Sequence, residues 1–242
     1  MERIVSKLLI YGDMPKDSIL MQLSEVCKDL HSGVFSKEDL TSRVFKQVKR
    51  LLELGTACAF DKNLWHNYLT YLLIMDENPF SLTCEKVGSK EGSVNHFAKS
   101  DFDAFLKLFN YDFSELEREL GIDCFSCITS YKAIEKPELM YNTNVSEKVR
   151  NLSEKLEKAE NKDAFFDCVT EFYKEIGVGA FGLNKAFRLK ELPGEILQFN
   201  PINNMDTVVL DDLVGYEIQK KKLIANTQAF FEGKKANNVL LF

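Results

Sequence analysis

The 242-residue sequence is short of the residues that carry most hydrolytic and metal chemistry. It has three histidines, His31, His66 and His96, and they are scattered. A zinc protease or a His-based hydrolase needs a spaced His pair or a nucleophile–base set, so neither finds support. No Gly-x-x-x-x-Gly-Lys-Ser/Thr run occurs. That run is what wraps backbone N–H groups around a phosphate and places a Lys and a hydroxyl beside it. Gly88-Ser89-Lys90-Glu91-Gly92-Ser93 has the wrong glycine spacing, and no Gly-Lys-Ser/Thr follows it. No apolar stretch approaches the length of a membrane span, and Met1–Asp13 lacks the pattern of a secretory signal. Six cysteines in a chain this long do not make a small disulfide framework. Cys27, Cys58 and Cys168 fall within helical patterns and read as reduced, buried thiols. The expected location is cytoplasmic. Cys124-Phe125-Ser126-Cys127 is a C-x-x-C without further ligands nearby and without a surrounding βαβ pattern, so it is assigned neither a metal nor a redox role. There are no internal repeats and no low-complexity tract.

Phenylalanine is abundant, at 19 residues, and apolar residues make up 45% of the chain. A chain of this size buries a sizeable core without staples, and aromatic packing is expected to dominate it. The net charge of −6 argues against general nucleic-acid binding across the surface. A local basic patch remains: five Lys against two Glu lie between Tyr216 and Phe242. Lys220-Lys221-Lys222 and Lys234-Lys235 read as a solvated outer helix face, with Leu223, Ile224, Phe230 and Phe231 turned inward. A contact with nucleic acid or phosphates is the less favoured reading.

Helical spacing dominates the first third. Ile19, Leu23, Val26 and Leu30 recur on one face and Gly33 closes that helix. Ser36 is an N-cap with Glu38 and Asp39 in the first turn, followed by Leu40, Val44, Val48, Leu51 and Gly55. A third helix carries Leu64, Tyr68, Leu69, Leu72 and Met75 and stops before Pro79. Trp65 lies on its apolar face and reads as core, and Asp76-Glu77-Asn78-Pro79 reads as a polar helix end. A helix is expected over Asp101–Asn110. Ser114 and Glu117 match a capping box. Cys124–Ala133 reads as either a strand or a buried loop. Ser146–Glu160 is a charged helix with an apolar stripe, and Asp163 is the expected cap of the next. Gly177-Val178-Gly179-Ala180-Phe181-Gly182 breaks that helix. Pro193-Gly194 marks a turn, and Phe199–Leu210 reads as an extended connector. Asn237–Phe242 ends in four apolar residues without alternation, which suits a strand covered on both faces of a parallel sheet.

Leu213-Val214-Gly215-Tyr216, the Lys-rich helix after it and the apolar strand together resemble the opening of an AAA-type, P-loop ATPase domain. The wording of Gly215-Tyr216-Glu217 and Ala225–Phe230 looks closest to a family of uncharacterised bacterial ATPases. Trp65, Asp76–Phe80, Gly177-Val178-Gly179 and Ala186-Phe187-Arg188 resemble that family's long N-terminal region, although no role attaches to Arg188. The resemblance implies a mainly α fold with minor β content: a multi-helical domain over 1–204, then the linker, first helix and first strand of an ATPase domain over 205–242. It implies that Leu213, Val214, Gly215 and Tyr216 pass beside an adenine ring, where glycine allows close approach. ATP and magnesium are then the cofactors of the complete parent protein, not of this chain alone. Hydrolysis rests on phosphate positioning and charge neutralisation, which the chain lacks by itself. The N-terminal region is expected to recognise a protein partner or report nucleotide state, with oligomerisation left to the ATPase portion. The alternative is a nucleotide-independent helical interaction module.

Overall fold

The computed structural model describes residues 1–133, 143–192, 196–202 and 209–239. They form a mainly helical protein with one small two-stranded sheet. The chain divides into two compact units, Met1–Asn204 and Met205–Phe242. Among the described residues no helix is long and apolar enough to cross a membrane.

Unit 1 opens with α1 (Glu2–Val5), α2 (Ile19–Ser32) and α3 (Lys37–Cys58). The Ser18 hydroxyl accepts from the Met21 N–H, and Gly33 closes α2 at φ 66°. Ser36 caps α3 through the Asp39 N–H, satisfying one of the amides that every helix start leaves open. Next comes α4 (Leu64–Met75), the central helix, with Leu64, Trp65, Tyr68, Leu69, Leu73 and Ile74 all buried. Trp65 is core, as its apolar setting suggests. Its indole N–H donates to the Leu108 carbonyl at 2.8 Å, and its ring meets Phe113 edge-on at 5.3 Å.

The Asp76–Pro79 stretch is a polar helix end, as expected, with Asp76 capping α4, and it is also the start of the next helix. Asn78 accepts from the Phe80 and Ser81 N–H groups, Ser81 accepts from the Asn78 N–H, and Pro79 occupies the first position of α5 (Pro79–Val87). Proline suits that position because its missing N–H has no helical partner there. The following helix, α6 (Ser93–Phe109), begins eight residues before the expected Asp101. Its first two turns carry Val94, Phe97 and Ala98 at helical spacing, but only Ala98 is buried while Val94 and Phe97 stay exposed. Within α6, Asp101 is 0% exposed. Its carboxylate accepts the backbone N–H groups of Leu9, Ile10 and Tyr11 at 2.7–3.0 Å and so pins the segment after α1.

The short helices α7 (Ser114–Leu120) and α8 (Phe125–Thr129) follow. The capping box expected of Ser114 and Glu117 does not form. Asp112 receives the Ser114 N–H instead, and Glu117 reaches forward to the N–H groups of Cys124 and Phe125, both at 2.8 Å. That forward reach stabilises α8, so Cys124–Ala133 contains a helical turn instead of a strand or a plain loop. Phe125 stacks on Phe113 at 3.9 Å. Cys124 and Cys127 are free thiols, and burial pushes Cys124 up to about 11, away from thiolate chemistry.

Unit 1 closes with α9 (Thr143–Glu157), α10 (Lys162–Glu175), α11 (Gly179–Leu183) and an antiparallel hairpin of β1 (Phe187–Leu192) and β2 (Ile196–Pro201). The cap of α10 is Asn161, which accepts from Asp163 and Ala164; Asp163 pairs with Lys99 at 2.6 Å. Gly177 and Gly179 take φ 96° and 66°. A Cβ on Gly182 would stand 2.4 Å from the Gly177 carbonyl carbon, so this turn admits only glycine there. The hairpin pairs Leu189 with Phe199, so Phe199–Pro201 belong to a strand where an extended connector was expected. Phe181 covers one end of the apolar face, 4.7 Å from Phe187 and 5.4 Å from Phe199. The expected turn at Pro193-Gly194 lies outside the described residues.

Candidate functional site

Unit 2 carries the four residues singled out as adenine-facing. A 3-10 turn at Leu210–Asp212 comes first, closed by the Asp212 carboxylate, which accepts the Val209 N–H at 2.9 Å. Leu213 then leaves in extended backbone. Gly215 and Tyr216 take φ 87° and 59° in succession and reverse the chain into α12 (Glu217–Phe231). Nothing lies within 4 Å of where a Gly215 Cβ would stand. Glycine is favoured there by its backbone angle, and its bare Cα leaves the surface open. Tyr216 holds the left-handed conformation at a cost of roughly 1–2 kcal/mol. Val214 is 95% exposed, and Leu213 and Tyr216 are exposed as well. Leu213, Val214, Gly215 and Tyr216 therefore form one contiguous, solvent-facing turn.

Two further residues shape this turn and its surroundings. Lys220 donates to the Leu213 carbonyl at 3.0 Å and pairs with Glu217 at 2.6 Å. Its side chain is largely covered, so it fastens the linker to α12 and does not join Lys221 and Lys222 on the solvated face. Asn226 forms a two-bond clasp with the backbone of Asn237, N–H to Oδ1 and Nδ2 to O, each at 2.8 Å. The clasp returns the chain after Gly233 to the middle of α12. Gly233 itself ends the helix at φ 68°, with backbone bonds from Gly233 to Phe230 and from Lys234 to Ala229. Neither role leaves a sequence signal: a Lys within a Lys run and a mid-helix Asn read as surface.

The expected inward face of α12 is open. Ile224, Phe230 and Phe231 are exposed, the last at 88%, and Ile218 is exposed on the opposite side. Apolar residues thus occur on two opposed sides of one helix, a pattern suited to cover from both sides. Leu210, Leu223, Ile224 and Phe231 line a groove of about 610 Å³. Asn237, Asn238 and Val239 adopt no regular structure. The rest of the expected terminal strand, Leu240–Phe242, lies outside the described residues.

An adenine ring needs an unobstructed backbone edge with apolar flanks. At Gly215 the backbone is open, and Leu213 and Val214 beside it are exposed. A triphosphate with magnesium needs a glycine-rich run with its Lys and hydroxyl, and oxygen ligands for the metal. The sequence has no such run, and among the described residues no three His, Cys, Asp or Glu converge on one point. The residues present do not fit the phosphates or their metal.

A family model described as "Protein of unknown function (DUF815)" matches residues 183–242, from the last residue of α11 onward. No curated protein and no solved structure matches the chain.

Proposed function

We propose that residues 209–239 are the adenine-side edge of an AAA-type ATPase domain, and that the helical unit before them is its partner-recognition or regulatory region. The observation that carries this reading is the turn at Leu213–Tyr216. Two successive left-handed residues, a bare glycine and an exposed valine are fastened to a helix start by Lys220. The resemblance to AAA-type domains over the same residues supplies the role, and the family model spans them without naming one. Phosphate binding and hydrolysis belong, in this reading, to residues that the chain does not contain.

The reading is tested by amide NMR of the chain with adenosine and with ATP. Small, fast-exchange shifts confined to Leu213–Tyr216 and the first turn of α12 are expected, equal for the two ligands. Much tighter binding of ATP than of adenosine, or no shift in this turn at millimolar ligand, overturns it.

A second reading has its own observation. The two uncovered apolar sides of α12 suit a nucleotide-independent interaction module, whose helix is covered by a protein partner. Loss of a co-purifying partner on Phe231→Lys, with no nucleotide effect, supports that reading over the first.

A further inference from the structure

We propose that a polar cavity between the start of α4 and one side of α9, in unit 1, binds a small zwitterion of the free α-amino acid class. The cavity measures about 200 Å³. That is far more than the ~10–15 Å³ one water needs, and less than the ~300–1,000 Å³ of clefts for drug-sized ligands.

The chemistry follows from groups left without partners in its wall. Arg150, Ser153, Glu154 and Glu157 recur at helical spacing and line the cavity from α9. They form a stripe beside the buried apolar one of Val149, Leu152 and Leu156. From the other side comes Asn67, 3% exposed. Its Nδ2 gives both hydrogens away, to the carbonyls of Asp61 and Asn63 at 2.7 Å each. Those bonds fix the amide orientation, and the buried Oδ1 is left with no hydrogen-bond partner. An orphan acceptor of this kind costs ~1–3 kcal/mol unless something donates to it. Ser153 is 5% exposed, and its hydroxyl has no partner among the described residues.

The charges are similarly divided. Lys62 is taken by Glu154. Arg150 is half-buried and makes no direct ion pair among the described residues, with Glu154 as a more distant charge neighbour, so it is free to take an anion. Among the described residues Glu157 has only the imidazole of His66, at 3.8 Å, as a neighbouring base. Asp61 spends one oxygen on the Ala133 N–H. An ammonium beside Glu157 and Asp61, donating toward Asn67 or Ser153, and a carboxylate on Arg150 would satisfy these groups together. The loop that walls the cavity also holds two non-glycine residues in the left-handed region, Ala59 at φ 49° and Lys62 at φ 64°. The surrounding fold maintains that strain through the Lys62–Tyr131 bridge and the bond from Ser146 to the Ala59 carbonyl.

The experiment is a thermal-shift and calorimetric titration of the whole chain with each free α-amino acid, with methylamine and acetate as single-charge controls. A saturable upward shift with one group of amino acids, absent with both controls, is expected. Arg150→Gln should weaken that binding about tenfold, as loss of a charge-assisted carboxylate contact does. It should leave the unliganded melting temperature nearly unchanged, because Arg150 makes no direct ion pair among the described residues and its charge reaches Glu154 only at longer range. Ser153→Ala should weaken binding without unfolding the chain. No shift with any amino acid leaves the cavity to water and overturns the proposal. So does a shift reproduced by methylamine or acetate alone, or one that survives Arg150→Gln.

Discussion

Replacing Asp101 by Asn keeps the shape of the side chain and removes its charge and one acceptor oxygen. The carboxylate is fully buried and takes three backbone N–H groups from Leu9, Ile10 and Tyr11. A hydrogen bond to a charged group is worth ~1.5–3 kcal/mol, so three bonds set a gross contribution of about 4.5–9 kcal/mol. Two terms reduce it. Burying the carboxylate is itself costly, and the Leu9 and Ile10 amides are only partly buried, so water can reach them in the variant. The Asn amide also turns an N–H toward donors where an acceptor stood. The expected net loss is about 3 kcal/mol. For a chain of this length that lowers the melting temperature by roughly 6–12 °C. Urea unfolding followed by circular dichroism measures it, as a lower midpoint with an unchanged slope. Asp103→Asn on the same helix is the control, since its pair with Lys107 is exposed and worth less than ~1 kcal/mol. A loss below about 1 kcal/mol for Asp101→Asn would refute the claim that this carboxylate anchors the N-terminal segment.

Three more expectations concern pH, backbone and activity. Burial lowers the His66 pKa, partly opposed by the Phe109 carbonyl and by Glu157. The unfolded chain therefore takes up this proton first: the stability held by neutral His66 is complete above about pH 6.5 and is lost as pH falls through the lowered folded value. Compared with wild type, His66→Gln should show a shallower stability decline below pH 6.5; parallel curves would contradict this. Gly182→Ala should cost at least ~2 kcal/mol because the new Cβ meets the Gly177 backbone, and a neutral result by thermal melting would show that the turn can shift. Purified chain with ATP and magnesium should show no turnover in a phosphate-release assay; magnesium-dependent release, with contaminants excluded, would place a phosphate site within it.

What could be read in advance was local. Ser36, Gly33 and Gly121 mark helix ends because each acts on amides or carbonyls within a few residues of itself. The apolar stripes of α2, α3 and α4 follow from periodicity alone. Errors arose where a side chain serves a distant or unexpected partner. Glu117 looks like a cap for its own helix and caps the next one. Asp163 looks like a cap and forms an ion pair, while Asn161 does the capping. Asp101 looks like an acid at a helix start and is a buried anchor for residues some ninety positions earlier. The Tyr11–Tyr173 hydroxyl pair, at 2.9 Å, joins the two ends of unit 1 and leaves no trace in either local pattern. At the candidate site the exposed glycine turn was legible from wording. The Lys220 tie and the Asn226 clasp were not, since both depend on the path of the backbone.

The central claim is that residues 209–239 open a nucleotide-binding ATPase domain. Sequencing the encoding gene beyond the codon for Phe242 tests it most directly. An open frame continuing at once into Gly-x-x-x-x-Gly-Lys-Ser/Thr is the predicted result. A natural stop codon at that point, or a continuation without such a loop, would contradict it.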